Sequence, residues 1–168
     1  TLTVDSVDVG ASSPHGIAIS SDGSELWVAS NQASHFFRIE TDRFGEEGYE
    51  PESFKIGSEV PDPVGINDGI YEVLEIVISP DGEKLFMSCS DMAKNEIRVF
   101  STSSGDSLAT YSLESMGMQP WHLTTDPDGE YLYVASRMAN AVSIVDLETG
   151  SIYYIENTLF DTPHGVAI

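Results

Sequence analysis

The 168-residue chain has one cysteine, Cys89, and seven Lys and Arg residues against 28 Asp and Glu. A lone thiol allows no internal disulfide, so cysteine usage names no redox compartment, and inside "LFMSCS" Cys89 reads as a small buried strand residue. The shortage of cations argues against nucleic acid as a partner, because phosphate binding rests on clustered Lys and Arg and the formal charge here is −21. The acids are spread through every turn and loop, as in a solvated, aggregation-resistant exterior. Long apolar runs are missing too: "YEVLEIVI" (71–78) is too short and too interrupted by carboxylates to span a bilayer. No segment keeps a helical period. Neither a Gly-x-Ser-x-Gly elbow, a phosphate-binding glycine loop nor a dinucleotide fingerprint occurs, which leaves nucleophilic-serine and nucleotide chemistry without a carrier. The chain opens in mid-pattern at "TLTVDSVDVG" without an initiating Met, and is expected to be processed or to be a piece of a longer protein.

Repetition takes the place of these features. "HGIAISSDGSELWVAS" (15–30), "LEIVISPDGEKLFMSC" (74–89) and "WHLTTDPDGEYLYVAS" (121–136) align on Gly23, Gly82 and Gly129, with spacings of 59 and 47. In each copy an apolar run enters an Asp-Gly turn, which tolerates positive φ, and a second apolar run leaves it, so each copy is a β-hairpin. A third strand follows ("HFFRIE", "EIRVFS", "AVSIVD"), then a polar turn and a fourth, more polar strand ("ESFKIG", "LATYSL", "IYYIEN"). The pattern predicts an all-β protein, a β-propeller of four-stranded antiparallel blades, with about three and a half blades in this chain and six to eight in a closed ring. Residues 1–168 form one partial propeller whose units are expected at about 14–57, 73–117 and 120–160, with 1–10 an outer strand and 162–168 the start of a further blade. Closure is needed to hide edge strands, so the ring is completed by missing blades of a longer chain or by self-association.

"SPDGEKLFMS" and "DPDGEYLYVASRMANAVSIVDLETG" resemble the YVTN repeat of bacterial and archaeal β-propellers, the group of YncE-like and surface-layer proteins, which is distantly similar to the lactonase-type propellers. The resemblance implies an exported protein: extracellular, periplasmic or on the cell envelope. The lactonase-type propellers carry a histidine in wording similar to "QPWHLTTDPDG", which falls on His122, but this chain has Trp121 where that group commonly carries arginine.

Propeller geometry puts the loop before each innermost strand and the loop between strands two and three on one face, the top of the central channel. Asp22, Asp81 and Asp128, in the hairpin turns, lie at the bottom and read as turn formers. His15, His122 and His164 enter innermost strands at the channel mouth; His122 is one residue later in its repeat and aligns with Gly16 and Glu75. Imidazoles with a carboxylate suit copper or zinc, which makes His15, His122, His164 and Glu75 a candidate metal set; the competing reading is that these side chains pack against neighbouring blades. Asn31, Asp91 and Arg137 join the top face from the loops after the second strands, and Trp121 is a stacking platform or a cap on the blade core. The connection 57–72 offers Asp62, Asn67, Asp68 and Glu72 as oxygen ligands for calcium, without EF-hand spacing. The leading functional reading is a non-catalytic binding or scaffold propeller holding a protein, glycan or small molecule around the channel at His15, Asn31, Glu75, Asp91, Trp121, His122, Arg137 and His164. The alternatives are a metal-binding or redox enzyme and a lactonase-like hydrolase.

Overall fold

The computed structural model describes residues 6–11, 13–57, 72–90, 95–113 and 118–168. Its strands are β1 (Pro14–Ile19), β2 (Glu25–Ser30), β3 (His35–Glu40), β4 (Glu52–Lys55), β5 (Val73–Ile78), β6 (Lys84–Cys89), β7 (Glu96–Ser101), β8 (Ser107–Ser112), β9 (Pro120–Thr125), β10 (Tyr131–Ser136), β11 (Ala141–Asp146) and β12 (Ile152–Glu156). They form three antiparallel four-stranded sheets in sequence order, β1–β4, β5–β8 and β9–β12. Each sheet is one propeller blade, and the first strands β1, β5 and β9 lie side by side as the innermost layer. Helix is confined, among the described residues, to 3-10 turns such as Thr41–Arg43 and Arg137–Ala139. Of the expected outer strand at 1–10, the described residues 6–10 carry no strand pairing, and residues 162–168 run without regular structure beside the third blade.

The sheets stack face to face through two apolar cores. Trp27, Ala29 and Phe36 of the first blade meet Val73, Ile76, Leu85, Met87, Cys89 and Phe100 of the second. Phe86, Ile97 and Val99 leave the other face of that second sheet and meet Leu123, Leu132, Val134 and Val145 of the third. Strand β6 makes the logic plain: Leu85, Met87 and Cys89 point one way and Phe86 the other, and all are buried, because a middle blade has two covered faces and a period of two. Each such side chain withdrawn from water contributes about 1.5–3 kcal/mol. In β1, Gly16 and Ala18 turn toward β5, whereas Ile17 and Ile19 face the opposite side and are 58% and 59% exposed.

The Asp-Gly turns close as expected in the first two blades. The Asp22 carboxylate accepts from the Ser24 N–H at 3.0 Å and from the Ser20 hydroxyl at 2.7 Å, while Ser20 Oγ accepts from the Glu25 N–H. Asp81 does the same with Glu83 and Ser79. In the third blade Asp126 takes over instead of Asp128: its carboxylate accepts from the Glu130 and Tyr131 amides at 2.8 and 3.0 Å. An aspartate in the serine's place can span the turn alone. The Ser24 amide and the two hydroxyls favour ionised Asp22 and hold its pKa near 2.

Two outcomes test this reading. Native Asp22 binds its proton less readily than the unfolded chain does, so its contribution to stability is complete above the ordinary carboxylate value of 3.8 and lost as pH falls through about 2. Denaturation of wild type and Asp22→Ala should therefore differ at pH 6 and converge toward pH 2. Gly105 has φ +71, and a Cβ there would lie 2.0 Å from Cδ1 of Phe54, across the blade interface. Gly105→Ala should cost about 1–3 kcal/mol in urea unfolding, as overpacked sites do, and an unchanged midpoint would contradict the packing.

Candidate functional site

Every innermost strand is irregular at the same place. The ladder slips between Pro14 and Gly16 in β1, between Val73 and Glu75 in β5, and opposite Val134 and Ser136 in β9, where Trp121 and His122 face one partner residue. Such β-bulges bend the strand and re-aim a side chain, and they recur beside functional sites. The residue ahead of each repeat-opening proline, Pro14, Pro120 and Pro163, is also unusual: Ser13, Gln119 and Thr162 have φ of 49°, 56° and 51°. Left-handed backbone at a non-glycine residue is held only where surroundings enforce it. Here the carbonyls of Ser13 and Gln119 accept from the backbone N–H groups of Asn31 and Arg137, and the Glu72 carbonyl accepts from Ser90 at the equivalent position. One clamp repeated in three blades thus ties the loop after the second strand to the entry of the first.

These clamps gather the channel-mouth side chains. His122 Nδ1 lies 3.0 Å from Glu75 Oε2, joining the third blade to the second. Glu75 is pinned further: its Oε1 accepts from the Ile76 N–H at 3.3 Å, and its own N–H, released from the ladder by the bulge, donates to Ser88 Oγ at 3.0 Å. The His122 and His164 rings are 4.8 Å apart, and His164 also meets Trp121 at 4.9 Å. Arg137 lies over the other partner in this row, 5.0 Å from the Trp121 ring, and donates to Gln119 Oε1 at 3.2 Å. A guanidinium therefore reaches the Trp121 position from the following loop instead of from β9 itself. Partial desolvation, then the neighbouring His122, Arg137 and His15, lower the His164 pKa from 6.5, which favours a neutral imidazole.

Glu75, Trp121, His122, Arg137 and His164 thus come together as a connected row. His15 does not enter it by a ring contact: its Nδ1 donates to the Leu74 carbonyl at 2.7 Å. Asn31 is held by its backbone, and its side-chain oxygen is buried without a partner among the described residues, as are Ser90 Oγ and the Trp121 indole nitrogen. Asp91, and the proposed oxygen ligands Asp62, Asn67 and Asp68, lie outside the described residues; of the fourth, Glu72, the backbone carbonyl is engaged. Of the expected metal set, Glu75, His122 and His164 lie within this row, and His15 bonds to the backbone beside it. With the His15 Nδ1 turned onto a backbone carbonyl, no group of three or more His, Cys, Asp or Glu is placed to hold a metal among the described residues. Gly16, Ser90 and Gln119 belong to the site's framework and were not among the expected residues; the Ser-Pro, Gln-Pro and Thr-Pro pairs opening the repeats were the available signal, because a proline restricts the residue before it.

Known proteins agree with this architecture. The hydrazine synthase of Kuenenia stuttgartiensis matches with TM-score 0.66 at 20% identity, over 85% of this chain and 37% of its own. The periplasmic gluconolactonase of Pseudomonas aeruginosa matches with TM-score 0.65 at 17% identity, over 90% and 41%. A protein from Bacteroides fragilis described as a putative 6-phosphogluconolactonase matches with TM-score 0.62 at 21% identity, over 89% and 40%. The chain spans about two fifths of the length of these structures, and at such identities the likeness is one of fold. A search of the curated proteins found no match. The sequence profile of the lactonase family, described as a seven-bladed β-propeller, matches residues 59–168, well over half of the chain, where the repeat wording had pointed to the YVTN group. The protein belongs to the lactonase seven-bladed β-propeller family.

Proposed function

We propose that the protein hydrolyses a lactone at the channel mouth, with His122 as general base, Glu75 as its orienting carboxylate and Arg137 as the cation facing developing negative charge. The His122–Glu75 contact carries this reading, and family membership favours it over the non-catalytic scaffold expected from the sequence. A carboxylate on Nδ1 selects the tautomer with its proton there and leaves the Nε2 lone pair to accept one. Water loses a proton to Nε2 as its oxygen bonds to the lactone carbonyl carbon. The resulting oxyanion is stabilised by a cation that needs no reorganisation, the role suited to Arg137. Collapse breaks the ring C–O bond, and the imidazolium returns its proton to the leaving alkoxide, so lactone and water give one hydroxy acid. Trp121 holds the guanidinium of Arg137 within cation–π reach, 5.0 Å from its ring. Ring completion belongs to the proposal: further blades, from a longer chain or a second copy, would cover the exposed Ile17 and Ile19.

The test is ring opening of glucono-1,5-lactone and its 6-phosphate, followed by pH-stat with the full-length protein. His122→Ala and Glu75→Gln should lower kcat by about a hundredfold or more, the usual scale of general-base catalysis, and an unaffected His122→Ala enzyme would end the assignment. His164 supplies a second check. Its proton is bound less readily in the folded protein, so the stability it contributes is complete above its usual 6.5 and declines as pH falls below. An NMR titration should place its midpoint below 6.5, while a midpoint above it would contradict the partial desolvation of His164 beside His122 and Arg137.

A further inference from the structure

Blade 1 touches the β5 bulge at two adjacent points. The carbonyl of Leu74 can only accept, so the His15 Nδ1 at 2.7 Å must be the donor, and this hydrogen bond spans the interface between the first two blades. One residue further on, Gly16 is buried against the next peptide of the same bulge. A Cβ on Gly16 would lie 3.0 Å from the Glu75 carbonyl carbon and the Ile76 nitrogen, and 3.2 Å from Glu75 Cα. All three are backbone atoms, which cannot swing aside as a side chain can. The Ile76 nitrogen is also the group that donates to Glu75 Oε1. A displacement of this peptide therefore moves the carboxylate directly, and with it the oxygen that meets His122 Nδ1.

We propose that His15 and Gly16 are positioning residues: they grip the Leu74–Glu75 bulge and thereby set where the Glu75 carboxylate meets His122. His15 acts through Nδ1, and its ring is a brace between blades. This deepens the lactonase reading, on which the catalytic importance of the pair rests, yet the positioning itself can be measured without substrate. In water a free imidazole carries its proton mainly on Nε2, so a His122 held on Nδ1 reports contact with the carboxylate.

The experiment is long-range 1H–15N NMR of His122 at a pH where it is neutral, in the full-length protein, with kcat and KM for a lactone measured alongside. Wild type should have His122 protonated on Nδ1. His15→Ala and Gly16→Ala should shift it toward the Nε2–H form, as Glu75→Ala does, and should lower kcat about ten- to a hundredfold with little change in KM, the cost of misplacing a catalytic group. His15→Asn, whose amide nitrogen can occupy the Nδ1 position, should restore both readings; His15→Gln, which mimics Nε2, should not. Restoration by Gln but not Asn, or an Nδ1–H tautomer unchanged in both His15→Ala and Gly16→Ala, overturns the proposal. If Gly16→Ala fails to fold, the three His15 variants decide the matter alone. A tautomer shift in a protein with no lactone hydrolysis would sustain the positioning role and sink the catalytic reading, so the two fail separately.

Discussion

The middle sheet, β5–β8, is buried on both faces, and the rest of the structure depends on that burial. Leu85, Met87 and Cys89 face one neighbour while Phe86 faces the other, so the sheet cannot slip by one residue without exchanging its two cores. This fixes how the first strands of successive blades sit beside one another. Contact between β1, β5 and β9 is what turns three separate repeats into a shared channel mouth. The His122–Glu75 contact joins adjacent blades, and apolar packing some distance away sets their separation.

Function then enters through local departures from ideal strands. A regular ladder would alternate side chains strictly between faces, leaving no freedom to aim one along the channel. The bulges at His15, Leu74 and Trp121–His122 supply that freedom, and left-handed Ser13 and Gln119 turn the chain into the first and third of them. Asn31, Ser90 and Arg137 secure the arrangement through backbone hydrogen bonds, so the same device serves whatever side chain a blade carries. A repeated framework with variable occupants is how one fold carries different sites. In this chain the occupants make a row running from a carboxylate through two imidazoles and an indole to a guanidinium.

Much of this was legible beforehand, and its limits are physical. The third strands begin and end where the alternating segments HFFRIE, EIRVFS and AVSIVD do, because alternation and turn residues act within a few positions of one another. Asp22 and Asp81 behave as turn formers for the same reason, and only the substitution of Asp126 for a serine moves the role away from Asp128. Which of the expected side chains touch one another was not legible, because the contacts run between blades. Aligning repeats put His15 with His164 and suggested a ring of equivalent ligands. The structure instead separates their tasks, since His15 meets a backbone carbonyl and His164 meets two rings.

By itself the sequence determined the three four-strand repeats and the turns that close them. These follow from periodicity and turn chemistry, which are local. The tertiary structure decided that Glu75 pairs with His122, that Arg137 lies on Trp121 and that Gly16 presses on the Glu75 peptide. Glu75–His122 and Gly16–Glu75 join different blades, and Arg137 reaches Trp121 across its own sheet by way of a bulge and a left-handed turn. Their distances are set by how sheets stack and where ladders slip, and no spacing along the chain encodes that.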